Sequence, residues 1–139
     1  MGRPFIGRPT SSSAYDARMA IDPRGQNLKQ LLADDPGGPV VMLNLLRFID
    51  GGRPSYDEYT RWPSEGFLAK YGAEVLYGGD GSTALVAEDG QAWDAVLIVR
   101  YPSRSAFCQM VADPDYQQVT HFRTEALSEA VLQATIPWS

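Results

Sequence analysis

Cysteine and histidine are almost missing from this chain of 139 residues, each occurring once, as Cys108 and His121. A lone thiol cannot close a disulfide within the chain, and that usage fits a reducing cytoplasm. Cys108 reads as core filling rather than as a nucleophile. With no HxxxH or CxxC spacing, no metal constellation is formed. Basic residues are also short, 12 Lys and Arg against 17 Asp and Glu, for a net charge of −5. Such a balance leaves no basic face to track phosphates, so a nucleic-acid partner is not expected. No apolar run reaches the ~20 residues of a membrane-spanning helix, and the N-terminus lacks the apolar segment of a secretory signal. A soluble cytoplasmic protein with no membrane partner is expected. There is no Ser-His-Asp order around a nucleophile motif and no dinucleotide-binding fingerprint. Gly78-Gly79-Asp80-Gly81-Ser82 lacks the Lys and trailing helix of a phosphate loop. No organic cofactor is expected.

What is present suffices for one domain, since 44% of the residues are hydrophobic and 21% charged. Residues 1–21, rich in Gly, Pro and Ser, read as a flexible N-terminal arm, and 22–139 as a single domain with a leading helix. Asp22-Pro23 looks like an N-cap and first helical position, with Leu28, Leu31 and Leu32 on one face of the helix that follows. Val40 to Phe48 reads as a strand with Val40, Met42, Asn44, Leu46 and Phe48 on one face and Val41, Leu43, Leu45 and Arg47 on the other. Ser55 with Glu58 forms a capping-box pattern. Tyr56, Tyr59, Pro63, Phe67 and Tyr71 recur at three- and four-residue spacing, which predicts a helix with an aromatic core face, kinked or broken near Arg61 by Pro63. Ala73–Tyr77 and Ala84–Ala87 make one bent strand or two. Trp93–Tyr101 is a strand apolar on both faces. Ser103 and Asp113 each cap a following helix, and Val131–Ile136 closes the chain as a last strand.

That order is βαββαβ, the split βαβ arrangement of ferredoxin-like folds, an α+β antiparallel sheet with its helices on one face. The other face is apolar and uncovered, which predicts a homodimer joining two sheets into a dimeric α/β barrel. The strings VVMLNLLRF, DGG followed by YDEY, WDAVLIVRYPSRSAF, DPDYQQVTHFR and EALSEAVLQATIP resemble the family known as domain of unknown function 1330, over about residues 22 to 137. The resemblance implies a dimeric α/β-barrel protein, in a superfamily that includes cofactor-independent monooxygenases and small isomerases. It implies no set of catalytic residues.

Site candidates come from the residues themselves. Asn44 interrupts an apolar strand face and needs a partner, because an unpaired buried amide costs roughly 1–3 kcal/mol. It could polarise a carbonyl. Arg123 falls on the apolar side of its helix, where a guanidinium needs a carboxylate, carbonyls or an anionic ligand. His121 is the only histidine and the obvious general base, although helical spacing turns it outward beside Glu125. Asn44, Arg123 and His121 are therefore the catalytic candidates, with Tyr59, Trp93 and Arg47 as ligand-binding walls or mouth. The expected role is small-molecule handling in a dimer-associated cavity, as a cofactor-independent enzyme acting on an apolar or anionic molecule. The alternatives are a non-catalytic metabolite-binding protein and a purely structural dimer.

Overall fold

The strand β1, Val40–Phe48, divides its side chains as two-residue alternation requires. Val40, Met42, Asn44 and Leu46 are buried, while Val41, Leu43, Leu45 and Arg47 stay partly exposed. This is a computed structural model, and it describes residues 22–61 and 65–138. The arm before Asp22 and the predicted break at Pro63 lie outside the described residues.

Around β1 the chain runs α1 (Gly25–Ala33), β1, α2 (Arg53–Tyr59), α3 (Glu65–Lys70), β2 (Glu74–Asp80), β3 (Ala95–Tyr101), α4 (Arg104–Ala112), α5 (Pro114–Gln117), α6 (Thr120–Ala126) and β4 (Leu127–Thr135). The four strands form one antiparallel sheet in the order β2-β3-β1-β4. With helices between β1 and β2 and between β3 and β4, this is the ferredoxin-like α+β topology that the sequence predicts. Opposed residues share a face. Asn44 stands between Leu97 and Leu132, and Met42 between Val99 and Ala134, so these side chains point to the helices. On the far side Leu43 meets Ile98, and Leu45 meets Val96 and Val131. None of those five belongs to the hydrophobic core.

Several local expectations are corrected. Asp22 does not cap α1; Arg24 occupies the cap position without a side-chain bond, and the Asp22 carboxylate goes to Arg123, because a charge-assisted bond outweighs an ordinary cap. Ser55 lies inside α2, which begins earlier behind Gly52 and takes Pro54 in its first turn. Its hydroxyl donates to the Phe122 carbonyl at 2.8 Å instead. Ala84–Ala87 joins no strand, and β2 is one strand whose register slips between Val75 and Tyr77. The loop after β2 closes at Gly81, whose N–H reaches the Asp94 carbonyl at 2.7 Å. A Cβ there would strike the Trp93 carbonyl. Finally, β4 starts at Leu127 rather than Val131, and the preceding segment is two short helices rather than one. The open edge of β1 supplies ladder bonds from Phe48 onward, which outweighs helix propensity over Leu127–Ala130.

Other expectations hold. The Ser103 hydroxyl accepts the Ala106 N–H at 3.0 Å, and the Asp113 carboxylate accepts that of Asp115 at 2.9 Å, each capping the helix that follows. Asp113 also takes Lys70 at 2.7 Å and the Tyr71 hydroxyl at 2.6 Å. That carboxylate clips α3 to the α4–α5 junction.

Candidate functional site

Aromatic spacing on the helices and apolar spacing on the sheet leave a cavity of about 320 Å³ between the two layers. The sheet contributes Asn44, Leu97, Val99 and Leu132 to its wall. The helices contribute Tyr56, Tyr59, Phe107, Met110, Tyr116 and Arg123, and Asp22 stands at its rim. This is a mostly apolar concavity with a few convergent polar groups, the usual form of a small-molecule site.

Its most distinctive contact is between two phenols. Tyr59 Oη and Tyr116 Oη are 2.6 Å apart, and the residues are only 7% and 8% exposed. Each hydroxyl owns one proton, so their mutual bond uses one and leaves one over. Among the described residues no further bond engages either hydroxyl. The pair therefore presents one O–H donor and spare lone pairs at the cavity wall. Rings hold it in place: Phe67 stands edge-on to Tyr116 at 5.4 Å, and Tyr56 lies 5.5 Å from Tyr59.

Burial fixes the protonation of these phenols. Loss of solvent pushes Tyr56 up to about 12 and holds Tyr59, Tyr101 and Tyr116 above the ordinary phenol range. The Arg123 charge works against the rise at all four but does not cancel it. At neutral pH they are donors, not bases.

Arg123, 6% exposed on α6, points inward as its helical position requires. Its Nη1 meets Asp22 Oδ1 at 3.1 Å. Thr124 Oγ1 donates to the same carboxylate, 3.1 Å from Oδ2. Asn44 donates from Nδ2 to the Leu97 carbonyl at 3.2 Å, which supplies the partner its burial demands and orients the amide at the cavity wall.

Of the six candidates read from the sequence, three line this cavity: Asn44, Tyr59 and Arg123. The other three lie elsewhere. His121 is exposed on α6 with its ring 4.2 Å from that of Phe122, since turning Arg123 inward turns the residue two positions earlier outward. Arg47 is on the far face of β1, held by Glu129 at 2.6 Å, by the Gly90 carbonyl at 2.8 Å and by the Ala92 carbonyl. Its guanidinium sits 4.4 Å over the Trp93 ring. Arg47 and Trp93 thus staple the loop before β3 to the sheet. Sequence reasoning missed Tyr116 and Asp22. The signal for Tyr116 was its place three residues after the Asp113 cap, on the side of Val119 and Arg123; Asp22 was assigned to a cap.

Fold and cavity define a ferredoxin-like α+β protein with a cleft between sheet and helices. The chain belongs to the family described as a domain of unknown function (DUF1330), which matches residues 51–134. It is similar to the solved structure of RPA0582, a protein of unknown function from Rhodopseudomonas palustris, at 31% identity over 86% of this chain and 97% of that one, with a TM-score of 0.77. An uncharacterized NIPSNAP domain protein from Burkholderia xenovorans shares the fold at 15% identity, covering 72% of this chain and 95% of its own, TM-score 0.53. At3g17210 from Arabidopsis thaliana does so at 16% identity, 72% and 96% coverage, and TM-score 0.52. No curated protein matches the chain.

Proposed function

We propose that this protein binds and polarises a small carbonyl-bearing molecule in the cavity between sheet and helices, as a cofactor-independent enzyme or enzyme-like protein. The observation that carries the reading is the buried Tyr59–Tyr116 pair with its surplus O–H donor at the wall. A protonated phenol, the Arg123 guanidinium and the Asn44 amide can all stabilise negative charge developing on a carbonyl oxygen. A reaction of this class draws electron density toward the oxygen.

A non-catalytic binding protein is the second reading, favoured by one specific feature. Among the described residues that line the cavity, Asp22 is the one carboxylate, and in this structure it is bonded to Arg123 and Thr124 rather than poised as a base. The test is a thermal-shift screen of aromatic and aliphatic ketones, 2-oxo acids and carboxylates, followed by the double variant Tyr59→Phe/Tyr116→Phe, which leaves no phenol proton in the pair. Binding stabilises by mass action, so a hit that raises the melting temperature of the native protein and loses most of that shift in the double variant supports the site. Silence across the panel at millimolar concentration overturns it. Proton exchange at the α-carbon of a bound ketone, followed by NMR in deuterated water, separates turnover from binding.

The same proposal includes a homodimer. Among the described residues, Leu43, Leu45, Val96, Ile98 and Val131 form a continuous, partly exposed apolar face outside the core cluster, and burial against a second copy removes it from water and closes the barrel. A single domain from Asp22 onward and a cytoplasmic location belong to this reading, the latter supported by the single unpaired thiol. No helix among the described residues is long and apolar enough to cross a membrane.

A further inference from the structure

Asp22 is the unusual member of the cavity rim. Its carboxylate reaches Arg123 Nη1 at 3.1 Å and takes the Thr124 hydroxyl on both oxygens, at 3.2 and 3.1 Å. The two ends of this ion pair differ sharply in exposure, with the Asp22 side chain 47% exposed and that of Arg123 8%. The acid comes from solvent to an arginine fixed in the interior. Because one end of the pair stands half in water, the Asp22 carboxylate can leave without crossing the interior, and an incoming carboxylate compensates the buried Arg123 charge in its place. Displacement leaves Asp22 in water while Arg123 remains at the cavity wall beside the phenol pair.

We infer that the cavity takes a compact apolar carboxylate, whose carboxyl group replaces that of Asp22 on Arg123 while its apolar body lies among Leu97, Val99, Phe107, Met110 and Leu132. This rests on the proposal that the cavity is a small-molecule site, and it adds the ligand's charge and the residue that competes with it. A guanidinium fork matches a carboxylate in two-point geometry, and the surplus phenol proton donates to such an oxygen as well. The body must be apolar because those five wall residues offer side chains with no hydrogen-bonding group. Asp22 then sets selectivity, since a ligand without negative charge has no means of displacing it.

The test uses phenylacetate and its uncharged isostere phenylacetamide, titrated calorimetrically into the full chain at pH 7. The native protein is expected to bind phenylacetate several-fold more tightly than phenylacetamide. Asp22→Asn removes the competing charge but keeps an acceptor for Thr124, and should tighten phenylacetate several-fold, with phenylacetamide unchanged. Thr124→Val loosens Asp22 while leaving its charge in place and should move affinity in the same direction by less. Arg123→Gln should erase the preference for the anion. Equal affinity for both probes, or an Asp22→Asn variant that binds phenylacetate no better, overturns the inference and leaves the small-molecule site standing. Silence of both probes in the native protein and in Asp22→Asn, together with silence across the ketone and 2-oxo acid panel, overturns both.

Discussion

Changing either member of the phenol pair to phenylalanine tests whether the two hydroxyls serve each other. Tyr116→Phe keeps the ring that packs on Phe67 and removes only the oxygen 2.6 Å from Tyr59 Oη. The remaining Tyr59 hydroxyl, in a residue 7% exposed, loses its partner, and an orphaned buried hydroxyl costs about 1–3 kcal/mol. Tyr59→Phe does the same from the other side. In the double variant no polar atom remains to be orphaned, so its cost should fall well below the sum of the two, with a coupling of about 1–2 kcal/mol. For a chain of this size each kcal/mol moves the melting temperature by about 3–5 °C. Urea titrations at pH 7, followed by tryptophan fluorescence for all four proteins, provide the cycle. Additive costs, with coupling below about 0.5 kcal/mol, would refute the mutual bond and with it the surplus donor assigned to the cavity.

Four further outcomes are expected. Light scattering should give twice the 15.3 kDa chain mass, and Ile98→Glu, which places a charge at the centre of the uncovered sheet face, should give the single-chain mass with the fold intact by circular dichroism. In alkali the sign follows from the tyrosines: burial raises Tyr56 to about 12, so its contribution is complete below the unfolded value near 10 and is lost as pH rises from there through 12. Two pH units correspond to about 3 kcal/mol, and denaturant midpoints that stay flat between pH 10 and 12 would contradict the burial of these rings. In acid the sign reverses, because Lys70 and then Tyr71 hold the Asp113 carboxyl far below the usual carboxylate range. Its contribution is complete above the unfolded value near 4 and is lost as pH falls below it, so Asp113→Asn should melt lower at pH 6 and show a shallower acid slope. Gly81→Ala, which drives a Cβ into the Trp93 carbonyl, should lower the melting temperature more than Gly25→Ala, where the new methyl meets nothing within 4 Å.

Alternation along Val40–Phe48, the apolar strand β3 and the Ser103 and Asp113 caps were legible because each depends on neighbours a few residues away. So was the inward turn of Arg123, which follows from helical spacing. Asp22, Ser55 and Leu127 were misread for one shared reason. Each has a local option, a cap or a helical turn, and each instead takes a partner distant in sequence: Arg123, the Phe122 carbonyl and β1. Arg47 and Trp93 both looked free to meet a ligand; that they meet each other depends on how the loop before β3 folds back on the sheet.

Composition and local pattern thus determined that this chain forms a four-stranded α+β sheet, that helices cover one side of it and that an arginine and an amide face inward. These follow from side-chain periodicity and backbone preference, which act over a few residues. Only the tertiary structure decided that Tyr59 and Tyr116, 57 positions apart, share a hydrogen bond, and that an acid from before the first helix closes on Arg123. Hydrogen bonds and ion pairs between distant segments depend on angstrom-scale placement by the whole core, and no spacing along the chain encodes it.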